Sequence, residues 1–136
     1  MSSTAGSGPL NVVDYSPGVC NIGPDEIARR RRAGHLGLVV TVIAFVALVA
    51  TGAPHWTRLI LVLPAAAAAA GYLQAWFHFC AGFGSRGVYN FGPIGTMTEV
   101  ADPQAKARDM ARSLRIGVGS LAVGVVVAVV AALLPV

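Results

Sequence analysis

Residues 114–136 read "LRIGVGSLAVGVVVAVVAALLPV", and beyond Arg115 this stretch carries no charged side chain. At 1.5 Å per residue, a helix of this length exceeds the ~30 Å hydrocarbon core of a bilayer. A soluble fold has nothing with which to cover so long an unbroken apolar surface. The composition agrees: 55% of the 136 residues are hydrophobic and 12% are charged, against roughly a quarter charged in an ordinary soluble domain. The chain reads as an all-α integral membrane protein.

Two further stretches match the first. "HLGLVVTVIAFVALVATGA" (35–53) and "WTRLILVLPAAAAAAGYLQAWFHF" (56–79) are each about one bilayer long, and the short "TGAPHW" (51–56) makes them a hairpin. Lipid offers no partner for exposed backbone groups, so all three spans must be helices. Residues 24–136 form one three-helix membrane domain in this reading. Residues 1–23 form a flexible Ser-, Gly- and Pro-rich arm ending in a turn motif. That arm lacks the basic and apolar segments of a secretory signal.

The cations set the orientation. Arg29, Arg30, Arg31, Arg32, Arg86, Lys106, Arg108, Arg112 and Arg115 precede the first span or lie between the second and third; only Arg58 lies in the other connection. Positive loops stay inside, which predicts a cytoplasmic N-terminus, an outside C-terminus and a multi-pass protein of the plasma membrane. Arg29 to Arg32 and Arg86 are then expected at lipid headgroups, with Ile27 facing the interface. The net charge of +4 follows from topology, and no nucleic-acid motif accompanies it.

A heptapeptide occurs twice, as "GVCNIGP" (18–24) and "GVYNFGP" (87–93). Glycine permits positive φ, asparagine tolerates it and proline ends an incoming helix. Gly18, Asn21, Gly23 and Pro24, and likewise Gly87, Asn90, Gly92 and Pro93, therefore read as compact interface turns. Val19 or Val88 and Ile22 or Phe91 are their expected apolar plugs. Pro24, followed by Asp25 and Glu26, predicts a helix that starts at Pro24. After the second copy the helix signal waits for Asp102–Pro103. Each copy thus precedes an outward-going helix, and spans one and three should run parallel.

Between the second copy and its surroundings, "AGFGSRGVYNFGPIGTMTEV" (81–100) has only Arg86 and Glu99 as charges. Residues 81–101 are expected to form an apolar, Gly-rich cytoplasmic loop that lies on the interface, folds back on the helices or meets another protein. In the third span Ser120, Gly124, Ala128 and Ala132 recur every four residues, a small-residue face suited to close helix packing.

Candidate chemistry is sparse. Cys20, His35, His78 and Cys80 fall near one end of the spans, and Gln74 and His78 are four apart on span two. Such a set offers ligands for a soft metal, or His35 and His78 for a haem. The usual local metal and haem spacings are missing. No span contains a carboxylate for a proton relay, and no catalytic triad or phosphate loop is present.

"RRRRAGHLG" (29–37) and "FCAGFG" (79–84), flanking an apolar hairpin, resemble the YgaP-type inner-membrane hairpins that are sometimes attached to rhodanese domains. The chain as a whole looks like small three-span membrane proteins of high-GC bacteria. The likeness covers about a third of the chain, and implies a membrane hairpin with no catalytic residue carried across. The present chain adds a third span and both heptapeptides.

The leading expectation is a non-catalytic accessory or assembly subunit of a larger plasma-membrane complex of the respiratory or oxidative class. Its contacts would be membrane lipids and other subunits or copies of itself, not nucleic acid. The alternative is a small redox protein holding a metal or haem through Cys20, His35, His78 and Cys80. A lower alternative is a self-assembling scaffold or pore.

Overall fold

The computed structural model describes residues 15–136. Of the expected flexible arm, residues 1–14 lie outside the described residues. Three helices are long and apolar enough to cross a bilayer, Pro24–Ala50, His55–Phe77 and Pro103–Leu133, which mark the chain as a multi-pass membrane protein.

The first helix, α1 (Pro24–Ala50), begins on Pro24 with Asp25 and Glu26 in its first turn. It stops at Ala50, three residues short of the expected span end. Thr51 turns its hydroxyl back on the Ala47 carbonyl at 2.9 Å, and Gly52 takes a positive φ of 68°. The return begins with a 3-10 segment, His55–Leu61, and continues as α2 (Val62–Phe77). Pro64 accounts for the change of winding: it lacks an N–H and is tolerated only in the first turn of an α-helix, so the α-helix starts two residues before it. α2 ends at Phe77, because His78 is left-handed (φ 54°).

α3 (Ala81–Arg86) and a two-stranded antiparallel ribbon, β1 (Val88–Tyr89) and β2 (Thr98–Glu99), follow. An all-α description with an irregular 81–101 loop is therefore too simple. The apolar side chains there organise the segment: Phe83 and Val100 are buried, and the ribbon supplies backbone partners that a loop against apolar surface would lack. The last helix, α4 (Pro103–Leu133), starts as Asp102 accepts from the Gln104 N–H. It ends at Leu133, earlier than the expected residue 136, since Leu134 is extended, as a residue before proline prefers to be.

α2 occupies the centre and packs against α1 on one side and α4 on the other. The α1–α2 crossing is a backbone contact. A Cβ on Gly71 would stand 2.5 Å from Gly34 N and 2.7 Å from Arg30 O, and one on Gly37 would meet the Ala68 backbone at 2.8 Å. On the other side, a Cβ on Gly124 would meet Val62 O at 2.8 Å. The buried face of α4 runs through Ala105, Asp109, Ser113, Ile116, Ser120, Gly124, Ala128 and Ala131. It drifts from the four-residue spacing by one position, so Ala131 is buried and Ala132 only half so. That drift is what a repeat of 3.6 residues requires.

α1 and α4 run parallel and leave between them, over Leu61, an apolar groove of about 400 Å³ lined by Leu38, Phe45, Val126, Val130 and Leu134. Trp56 and Trp76 are 71% and 80% exposed at opposite ends of the second span. Twenty positions apart, they stand about 30 Å apart along a helix and bracket a hydrocarbon core as interfacial tryptophans do.

The glycine crossing predicts that Gly71→Ala will force α1 and α2 apart. A loss of about 1–3 kcal/mol is expected, read as a lower thermal midpoint in detergent. Gly117→Ala, whose Cβ would meet nothing within 4 Å, should not lower the midpoint, since alanine without a clash favours the helix by up to about 1 kcal/mol.

Candidate functional site

The two heptapeptides lie side by side. Asn90 N donates to Asn21 O at 2.9 Å and Gly23 N donates to Asn90 O at 2.8 Å, a parallel bridge centred on Ile22 and Asn90. The approach is close enough that a Cβ on Gly23 would sit 2.8 Å from the Phe91 Cα. Gly18 and Gly87, the first residues of the copies, share a left-handed backbone with φ of 70° and 72°. Both lean on the first turns of α4: a Cβ would meet the Arg108 side chain at 3.2 Å from Gly18 and the Lys106 side chain at 3.3 Å from Gly87.

The asparagines play a different part from the one their turn propensity suggests. Neither has a positive φ; both are buried hydrogen-bonding clamps. Asn21 Oδ1 accepts from Cys80 N at 2.7 Å and its Nδ2 donates to Cys80 O at 3.1 Å. This ties the N-terminal copy to the residues that follow α2. Asn90 Nδ2 donates to Glu26 Oε2 at 3.1 Å and to Pro93 O at 2.9 Å, while its Oδ1 accepts from Gly92 N and Thr96 Oγ1, both at 2.9 Å. The second asparagine therefore fixes both its own loop and the start of α1.

Residues 15–23 are held by these contacts and by two more. Tyr15 Oη donates to Asp109 at 2.7 Å, and Gly18 N donates to the same carboxylate at 2.8 Å. Tyr15 also stacks on Tyr89, with ring centroids 4.6 Å apart. Burial, followed by the hydrogen bond to and charge of Asp109, pushes the Tyr15 phenol well above its usual range. Burial also pushes the Cys20 thiol up, partly offset by a backbone hydrogen bond of Ile22.

Several candidate residues take other positions than those expected. Arg30 turns inward, donating to Glu26 Oε1 at 2.8 Å and to Cys80 Sγ at 2.8 Å. The Glu26 one helical turn earlier draws it from the headgroup row. Arg29, Arg31, Arg32 and Arg86 remain exposed, with Arg29 3.9 Å from Glu26. Ile27 packs with Ile22, Ala75, Cys80 and Phe83 instead of facing the interface. Of the expected plugs, Ile22 is fully buried and Val88 packs on that cluster, but Val19 is 58% exposed. Pro24 and Pro93 sit on the surface as helix start and loop corner.

The four Cys and His side chains are not gathered into one set. His35 Nδ1 lies 2.6 Å from Tyr72 Oη, Cys80 Sγ meets Arg30, and Cys20 Sγ meets the Ile22 carbonyl. His78 does not share a helical face with Gln74, because its left-handed backbone ends α2. Gln74 instead caps α3, accepting from Ala81 N at 2.8 Å. Among the described residues, no group of three or more His, Cys, Asp or Glu is placed to hold a metal ion.

At the other end of the bundle, sequence reading missed the part played by Arg58. It is 2% exposed, donates to Ala131 O at 2.9 Å and Leu134 O at 3.1 Å, and also reaches Val136 O. Its guanidinium lies 5.5 Å from the Phe45 ring centroid, and His55 Nδ1 is 3.2 Å from Ala132 O. The lone cation of that connection thus caps the open carbonyls of α4, where the helix dipole favours positive charge. Its isolation among the cations was the one signal available.

Asn21→Ala removes a clamp whose partners are buried, and should cost about 1–3 kcal/mol, seen as earlier exchange of the Cys80 amide. In an alkaline titration followed at 295 nm, one of the three tyrosines should ionise only well above the ordinary phenol value of about 10. Asp109→Asn should bring that step down, because it removes the negative charge opposing the phenolate.

The chain matches no family model, no curated protein and no solved structure. No family or homologue is identified for it, so these comparisons lend the resemblance to the YgaP-type hairpins no support.

Proposed function

We propose that this protein is a non-catalytic accessory or assembly subunit of a larger plasma-membrane complex, acting through a rigid lobe at the end of the bundle where α1 and α4 begin. In this reading the lobe lies in the cytoplasm, an orientation that the clustering of arginines at that end supports.

The observation that carries the proposal is the tip of that lobe. Ile94 and Met97 are 46% and 51% exposed, yet the turn that presents them is tethered: Thr96 Oγ1 donates to Asn90 Oδ1 at 2.9 Å and to Pro93 O at 2.7 Å. Arg86 Nη2 lies 3.9 Å from Met97 Sδ. An apolar tip held in one shape loses little conformational entropy on binding, which suits it to contact. The lobe's buried polar groups, Asn21, Glu26, Asn90 and Asp109, are engaged in holding it together, which supports a structural use over a chemical one.

A photo-crosslinking residue at position 94 or 97, activated in intact membranes, should give a discrete adduct with another membrane protein. The same residue at Ala107, exposed on α4, should not. A protein that purifies from mild detergent as a monomer, with no adduct at either tip position, overturns the reading. An adduct at twice the 13.9 kDa chain mass would replace the foreign subunit with a second copy.

A further inference from the structure

Outside the lobe, at the same end of the bundle, a groove of about 460 Å³ runs along the last turns of α2, lined by Arg31, Tyr72, Leu73, Ala75, Trp76 and Phe77. α1 contributes Arg31 to it. Arg112 of α4 does not line the groove but rests on Phe77, which does, 4.5 Å from its ring centroid. The side chains deeper along the helix are aromatic or aliphatic, and Trp76 is 80% exposed.

These two arginines differ from the pair that the protein itself neutralises. Among the described residues, the only ion pairs are those of Arg29 and Arg30 with Glu26. Arg112 is half-buried against Phe77 and makes no ion pair among the described residues. A cation pressed against an aromatic ring at a membrane boundary, with no carboxylate opposite, calls for an anion from outside the chain. The planar guanidinium matches a phosphate oxygen pair, and the tryptophan stands at headgroup level.

We propose that the groove binds one anionic phospholipid, its phosphate held by Arg31 and drawn by the positive charge of Arg112 behind Phe77, with its acyl chains lying along Tyr72, Leu73 and Trp76. Charge complementarity selects the occupant. A zwitterionic lipid brings its own cation to two unanswered arginines, whereas a phosphatidylglycerol-type lipid brings net negative charge to an apolar slot. The inference needs only that the helices span a bilayer, so it stands or falls apart from the subunit proposal.

The chain has two tryptophans, so Trp56→Phe leaves Trp76 as the reporter. In nanodiscs of phosphatidylcholine with a minor share of bromine-labelled lipid, brominated phosphatidylglycerol should quench Trp76 more than brominated phosphatidylcholine at equal content. Arg31→Gln and Arg112→Gln should each lower that preference about fivefold, as expected for one basic residue near the surface. Arg32→Gln with Arg86→Gln removes two charges from the same end, one more than either single variant, and should nonetheless lower the preference less than either does. Equal quenching by the two lipids overturns the proposal, as does an equal loss in the Arg32/Arg86 control, which would mean diffuse attraction only. Shielding of Trp76 from both lipids would mean that protein occupies the groove, and also overturns it. Where Arg112→Gln fails to fold, the exposed Arg31→Gln carries the same comparison alone.

Discussion

Asn21 grips both backbone groups of Cys80, and the shape of the lobe depends on that grip. The amide side chain imitates a neighbouring strand: its oxygen takes the Cys80 N–H and its NH₂ the Cys80 carbonyl. Both residues are buried, so water cannot replace either bond. The clamp fixes where the chain goes after α2, at the point where left-handed His78 has turned it. Cys80 then serves as the N-cap of α3, its sulfur accepting from Phe83 N at 3.5 Å and from Arg30. Arg30 in turn is held by Glu26, and Glu26 by Asn90. One line of polar contacts joins the N-terminal segment, the end of the second span, the first span and the ribbon loop.

The bundle itself is held by different means. In lipid, side-chain burial between helices gains little, because the acyl chains are as apolar as leucine. What remains is close packing and polar contact. The glycines at 34, 37, 71 and 124 let backbones touch, and polar locks close each end. Arg58 and His55 hold the carbonyl end of α4; Asp109 holds Tyr15 and Gly18 to its beginning. The 3-10 entry to α2 is therefore locked to the end of α4, and Asn21 ties the residues after α2 to the N-terminal segment, while α1 and α4 remain separated by the apolar groove between them. The cation that breaks the charge asymmetry of the loops does so because a helix end needs it there.

Much of this was legible in the sequence, and the division has a physical basis. Local rules placed the three spans, the start of α1 at Pro24 and the start of α4 at Asp102–Pro103, because caps and prolines act within one helical turn. Periodicity indicated the small-residue face through Ser120, Gly124 and Ala128, though not its drift to Ala131. Contacts between distant residues were not legible. Arg30 belongs by position to a row of four arginines, and only folding brings Cys80 to it. His78 looked like a helical neighbour of Gln74 because nothing local announces its left-handed backbone. The asparagines were read by turn propensity, which describes what a residue tolerates and not which distant amide it will meet.

The repeated heptapeptide joins these levels. Its two copies share the left-handed first glycine and the pairing backbone, yet they cannot be exchanged. In a parallel bridge each strand offers its groups one residue out of step, so Ile22 faces Asn90 and the two asparagines look into different surroundings. The third position follows from that asymmetry. Cys20 faces the buried side and is 7% exposed; Tyr89 is half-buried, stacked on Tyr15 with centroids 4.6 Å apart and tilted against Phe91 at 5.8 Å. A tyrosine at position 20 would have to find room in a filled interior, and a cysteine at 89 would leave Tyr15 without its stacking partner. The likeness of the copies serves the backbone they build together, and the difference between Cys20 and Tyr89 records which copy lies inside.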